Sequence, residues 1–176
     1  MHFRISRGLL LNVIAAVFAV SAYAQSPTPA SNLAGIKQLR ERVDVSLSLK
    51  GADEFGVEAG EVAKIVRTTL LASGLTFAKG DFKMPGIQIS VQGESTGGGG
   101  AQFAVELVVT ALLPSPFVKE RSIQAIIWRG TASGHHLQRY DPATKELIKP
   151  TGLIRDRVYE SVKEVASRLA SDAKAS

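Results

Sequence analysis

The chain is 176 residues long, 45% hydrophobic and 21% charged, with 16 Gly, 7 Pro and no Cys. These proportions exclude a disordered polymer and a collagen-like repeat, and they suit one globular domain. The lack of Cys excludes a disulfide framework, a thiol nucleophile and a lipid-modified cysteine.

Residues 1–24 read as a secretory signal peptide. Arg4 and Arg7 give a positive start, Leu9 to Val20 an apolar run broken only by Asn12, and Ala22-Tyr23-Ala24 a small-x-small cleavage pattern. The run is shorter than the roughly 20 residues of a spanning helix. Cleavage after Ala24 is therefore expected, giving a soluble, periplasmic or secreted chain with no membrane span. Removing the first 24 of 176 residues leaves 152 and, with Arg4 and Arg7 gone, lowers the net charge from +5 to +3. So small a basic excess argues against a nucleic-acid partner.

Gln25 to Gly35 is small, polar and Pro-containing, so residues 25–40 are expected to form a flexible leader and residues 41–173 a single domain, ordered from near Val43. Val43, Val45, Leu47 and Leu49 alternate with polar residues, the period of a strand with one buried face. Val62, Ile65, Val66, Thr69 and Leu70 then recur at helical spacing. A helix from about Glu58 to Ser73 is predicted, with Glu58 and Glu61 near its positive end and Gly74 as a left-handed cap. Ile87, Ile89 and Val91 resume strict alternation after Pro85-Gly86.

The longest strand is predicted from about Gln102 to Leu113, with Phe103, Val105, Leu107 and Val109 on one face; Val108 and Leu112 interrupt the polar side. Ser122 to about Ser133 forms a fourth strand that is apolar on both parities. After a polar segment, Ile154, Val158, Val162, Val165 and Leu169 make the stripe of a closing helix. Both stripes and one face of each strand are buried together if two helices cover one side of a four-stranded, mostly antiparallel sheet, an α+β fold of order β-α-β-β-β-α.

This element order, the helix ending in Leu71-Ala72-Ser73-Gly74-Leu75, the strand after Pro85 and the tryptophan in Ile127-Trp128-Arg129-Gly130 resemble small bacterial periplasmic proteins and lipoproteins with a module like the N-terminal domain of TolB. The resemblance covers most of residues 40–172 and implies an envelope-assembly role.

Motifs for catalysis are weak. Adjacent side chains on a strand point to opposite faces, so His135 and His136 are not placed to chelate one ion and are expected as exposed loop residues. Gly97 to Gly100 precedes a strand, whereas a phosphate loop leads into a helix. Gly130-Thr-Ala-Ser-Gly134 lacks the spacing of a nucleophile elbow. Ser171-Asp-Ala-Lys174 is expected at a fraying terminus. The pairs Asp53/Glu54 and Glu58/Glu61 suit solvated loop and helix-start positions better than facing sides of a glycosidase cleft.

With no cofactor or metal implied, the uncharged sheet face is the candidate for binding. Gln88, Ser90, Gln102 and Glu106 lie on it, and Val108, Leu112 and Trp128 are its apolar candidates. Trp128 is core if Ile126 and Trp128 share the helix-covered side, as the usual burial of large aromatics favours, and an exposed anchor beside Val108 and Leu112 if they share the open side. The reading is a non-catalytic binding or assembly module of the cell envelope, with an envelope protein, a glycan or a second copy as partner. The alternative is a small secreted hydrolase or metal-dependent enzyme whose site is assembled from distant residues. Intact-mass measurement on exported protein is expected to find a product beginning at Gln25.

Overall fold

The computed structural model describes residues 33, 35–51, 55–80, 82–95, 100–115, 117–119, 121–136, 143–144 and 151–175. The expected signal peptide, leader residues 25–32, Asp53, Glu54 and Gly97 to Gly99 lie outside the described residues.

The elements are β1 (Gln38–Arg40), β2 (Val43–Lys50), α1 (Ala59–Ala72), β3 (Thr76–Ala78), β4 (Gly86–Ser95), β5 (Ala101–Pro114), β6 (Ser122–His136) and α2 (Thr151–Ala175). The main sheet has the order β2-β4-β5-β6. β2 and β4 run parallel, so a crossover is required, and α1 supplies it. β4, β5 and β6 follow as an antiparallel meander. The domain is thus α+β, with two helices on one face of a mostly antiparallel four-stranded sheet. β1 and β3 form a separate two-stranded parallel pair that the sequence pattern did not signal.

Ile87, Ile89, Val91, Val105, Leu107 and Val109 are fully buried beneath Val62, Val66 and Leu70 of α1 and Ile154, Val158, Val162, Val165 and Leu169 of α2. These are the residues whose spacing predicted the two stripes and the two sheet faces. At the end of α1, Leu75 N–H bonds to Leu70 O and Gly74 N–H to Leu71 O, with Gly74 at φ 92°. The positive φ favours a residue without a side chain, and the paired bonds satisfy carbonyls the helix leaves open.

Packed structure reaches further toward the N-terminus than the alternation indicates, because Leu33 and Leu39 are buried in the core. Phe55, which falls between the predicted strand and helix, is also fully buried. It occupies the space a side chain on Gly93 would need, since a Cβ there would lie 2.7 Å from its ring. The same relation holds across β5 and β6, where a Cβ on Gly134 would lie 2.4 Å from the Phe103 ring. Phe103 faces Gly93 on one side and Gly134 on the other, so the glycines of the GTASG segment serve ring packing.

One irregularity sets the faces of β6. Val109 pairs with Trp128 but the next residue, Thr110, pairs with Ile126, leaving Ile127 as an extra residue in a β-bulge. The bulge reverses the side-chain parity of the strand. Ile126 is consequently 50% exposed while Trp128 is 3% exposed.

Replacing Val66 or Val162 by Asp places an unpaired carboxylate in the core and is expected to abolish the cooperative thermal transition seen by circular dichroism. Ser46→Asp and Ser48→Asp, on the uncovered face, are expected to stay within about 0.5 kcal/mol of the parent.

Candidate functional site

The uncovered face is organised by strand register into rows that cross all four strands. Asp44, Gln88, Val108 and Arg129 form one row, and Ser46, Ser90, Glu106 and Thr131 the next. Ser48, Gln92, Ala104 and Ser133 follow, then Lys50, Glu94, Gln102 and His135. Residues in a row are about 4.8 Å apart, and successive rows about 6.8 Å, because each strand rises about 3.4 Å per residue and shows every second side chain to this face.

Charge on the face is confined to pairs. Arg129 Nε lies 3.0 Å from Glu106 Oε1, and Lys50 Nζ lies 3.4 Å from Glu94 Oε1. Such surface pairs contribute little stability, but they leave a face dominated by amides and hydroxyls. Two hollows lie along it. One of about 330 Å³ is bounded by Ser46, Gln88, Ser90, Glu106 and Val108, and another of about 410 Å³ by Ser48, Lys50, Gln92, Glu94 and Gln102.

A third hollow, about 640 Å³, lies between Arg40, Glu41, Arg42, Asp44, Arg67 and Lys79. Its arginines are engaged within the protein. Arg42 Nε is 2.6 Å and Arg40 3.4 Å from the Asp44 carboxylate, and Arg67 donates to the Glu41 carbonyl at 2.8 Å while stacking over Phe77.

The structure therefore gathers Gln88, Ser90, Glu106, Val108 and Gln102 on one surface, as the strand alternation anticipates. Leu112 is partly covered at the margin, where Arg40 and the Phe82 to Met84 turn approach Thr110 and Gln124. The Gln124 side-chain amide donates to Thr110 Oγ1 at 3.2 Å there.

Trp128 is separated from this group: it sits on the helix-covered face and its indole N–H donates to Asp172 Oδ2 of α2 at 2.8 Å. The core alternative for Trp128 holds, but Ile126 does not accompany it, because the bulge lies between them. Arg129, Thr131, Ser133 and His135 complete the face and were missed. Their place depends on a bulge that no residue type in β6 announces.

The remaining chemical candidates disperse. His135 and His136 end β6 on opposite faces, and His136 is buried, not a loop residue as expected. Glu61 pairs with Lys64 at 3.1 Å. Ser171 and Lys174 lie within α2, whose last turns are held by the Asp172 bond rather than frayed. Among the described residues no three His, Asp or Glu side chains converge to hold a metal ion, and no helix is long and apolar enough to cross a membrane.

No protein-family model matches the sequence, and no curated protein matches it. Among solved structures, the chain is similar to a minor lipoprotein from Acinetobacter baumannii at 12% identity and TM-score 0.38, covering 80% of this chain and 94% of that one. It is similar to the rare lipoprotein B from Shewanella oneidensis at 16% identity and TM-score 0.32, covering 74% and 90%. A protein of the DUF330 family from Xanthomonas campestris is similar at 12% identity and TM-score 0.39, covering 80% and 90%. Two of these three are named as lipoproteins, and none as a TolB domain.

Replacing Trp128 by Ala is expected to cost about 3–5 kcal/mol in denaturant unfolding. Asp172→Ala, which strands the indole N–H, is expected to cost about 1–3 kcal/mol. The emission of native Trp128 should be protected from acrylamide and lost to protection only on unfolding.

Proposed function

We propose that the protein is a non-catalytic binding or assembly module of the bacterial cell envelope that docks a partner on its uncovered sheet face, a role of the kind implied by the resemblance to the TolB N-terminal domain. The observation that carries this reading is the set of register rows, above all Gln88–Val108 and Ser90–Glu106, in which hydrogen-bonding groups alternate with a small apolar centre. Interfaces that form and dissociate are built this way, with apolar contact at the middle and a polar rim.

An extended peptide or a glycan fits the lattice better than a globular anion. Amide and hydroxyl groups about 4.8 Å apart offer repeated donors and acceptors, while the cations on the face are already paired with carboxylates. Proton transfer or nucleophilic attack needs groups brought within hydrogen-bond reach of one reacting atom. The rows instead spread their polar groups evenly across the sheet.

A photo-crosslinking amino acid placed at Gln92 or Ser133 on the face, and at Arg157 or Lys163 on the exposed side of α2, tests the reading in the cells that export the protein. Discrete adducts are expected from the sheet positions and not from the helix positions. Adducts confined to α2 would overturn it.

A further inference from the structure

The β5–β6 hairpin outruns the rest of the sheet. β4 begins at Gly86 opposite Thr110, whereas the pairing of β5 with β6 continues to Pro114 opposite Ser122. Beyond Thr110 the hairpin is thus a two-stranded ribbon of four paired positions, about 14 Å long at about 3.4 Å per residue. No described strand flanks it on the β4 side.

The end of this ribbon is apolar. Leu113, Val118 and Ile123 are exposed, and Phe117 is 92% exposed. Phe82, 70% exposed, stands at the ribbon's base beside Leu112 and Gln124. Single exposed apolar residues need no explanation, but a group of them concentrated on one projection does. Lys119 and Arg121 are exposed in the same turn, whose sequence Phe117-Val118-Lys119-Glu120-Arg121 holds two cations and one carboxylate, and Lys83 is exposed next to Phe82.

Four backbone N–H groups of the described turn residues are engaged within the turn. The Ser115 hydroxyl accepts from Phe117 N–H at 3.3 Å and from Val118 N–H at 3.2 Å. Ser115 N–H donates to Arg121 O at 2.7 Å, and Arg121 N–H to Val118 O at 3.4 Å. Each peptide donor engaged in this way lowers the cost of moving the segment from water toward an apolar medium, where an unsatisfied group is strongly disfavoured.

We propose that this ribbon tip docks on a bilayer containing anionic phospholipid. Phe117 and Val118 enter the boundary between head groups and acyl chains, and Lys119 and Arg121 lie at the level of the phosphates. A narrow convex tip needs a matching concavity on a protein, whereas a fluid interface closes around it. The ribbon's length also suffices for the roughly 5–10 Å depth that interfacial segments reach. Four apolar side chains and a small cationic excess make the attachment weak and reversible, stronger on anionic than on neutral lipid.

Flotation of the full chain with vesicles of phosphatidylcholine containing about one-third phosphatidylglycerol tests this. Binding is expected, weaker on pure phosphatidylcholine, and reduced about ten-fold or more in the double variant Phe117→Ser with Val118→Ser. Circular dichroism should show the same thermal midpoint for parent and variant, because both side chains are exposed. Phe117→Trp should add an emission component that shifts to the blue and is quenched by brominated lipid when vesicles are present, over the constant signal of buried Trp128. Failure to float with the anionic vesicles, or flotation undiminished in the double variant, overturns the proposal. So would Phe117→Ser removing a discrete protein adduct in cells while vesicles leave Phe117→Trp unshifted, which assigns the tip to a protein partner.

Discussion

The indole N–H of Trp128 meets the Asp172 carboxylate at 2.8 Å in a contact made largely of apolar side chains, and this directional bond ties the last helix to the last strand in one register. Hydrophobic burial favours any arrangement in which the stripe of α2 covers the sheet, but it is not directional and would tolerate sliding of the helix. An N–H that must find an acceptor once buried is selective. Arg168, one turn before Asp172, donates to the Thr131 carbonyl, so α2 engages β6 at a second position three residues beyond the tryptophan. That second bond also engages a carbonyl of β6, the last strand of the sheet among the described residues.

The bulge at Ile127 is what makes the bond possible. Without an extra residue, Trp128 would share parity with Ile126 and face the same side, opposite Thr110 and Val108. With it, the strand presents Trp128 inward for α2 and Ile126 outward, and Gly130 then lies on the covered side, where a Cβ would come within 2.3 Å of the indole ring. Bulge, tryptophan and glycine are therefore one device. The outcome is a division of labour: aromatic and most aliphatic groups lie under the helices, and amides, hydroxyls and paired ions surround a few small apolar residues such as Val108 and Ala104 on the other face.

Most of this division was legible from periodicity. Val43 to Leu49 and Ile87 to Val91 carry an unbroken alternation, Phe103 to Val109 one interrupted on its polar side by Val108, and Val62, Val66, Leu70 and the α2 stripe a helical one, because each element buries one side. The buried roles of Leu33, Leu39 and Phe55 were not legible, since each is an isolated apolar residue among polar and small neighbours and burial there depends on tertiary contact alone. β6 was ambiguous for a physical reason: a bulge superimposes two opposite parities, so a strand with one buried face reads as a strand with two. The same shift hid Arg129, Thr131, Ser133 and His135, half of whose surroundings come from the register with β5 rather than from their own sequence. Leu113 and Ile123 read as strand residues, and only the start of β4 at Gly86 shows that they stand beyond the four-stranded part of the sheet.

The bulge also divides β6 along its length. On the His136 side of Ile127, the strand is flanked by a full sheet and by α2, and its outward residues extend the hydrogen-bonding rows. On the Ser122 side β5 is the one described strand paired with it, and Ile123 and Ile126 are exposed there together with Ser122 and Gln124. A ribbon tip held at a lipid surface would set the strand axes steeply to that surface, since the hairpin continues the direction of β5 and β6. The rows from Asp44–Arg129 to Lys50–His135 would then face sideways, at increasing height above the head groups. In that orientation the sheet face would remain open to a partner approaching along the membrane, and the proposed attachment and docking would use different residues of the same two strands.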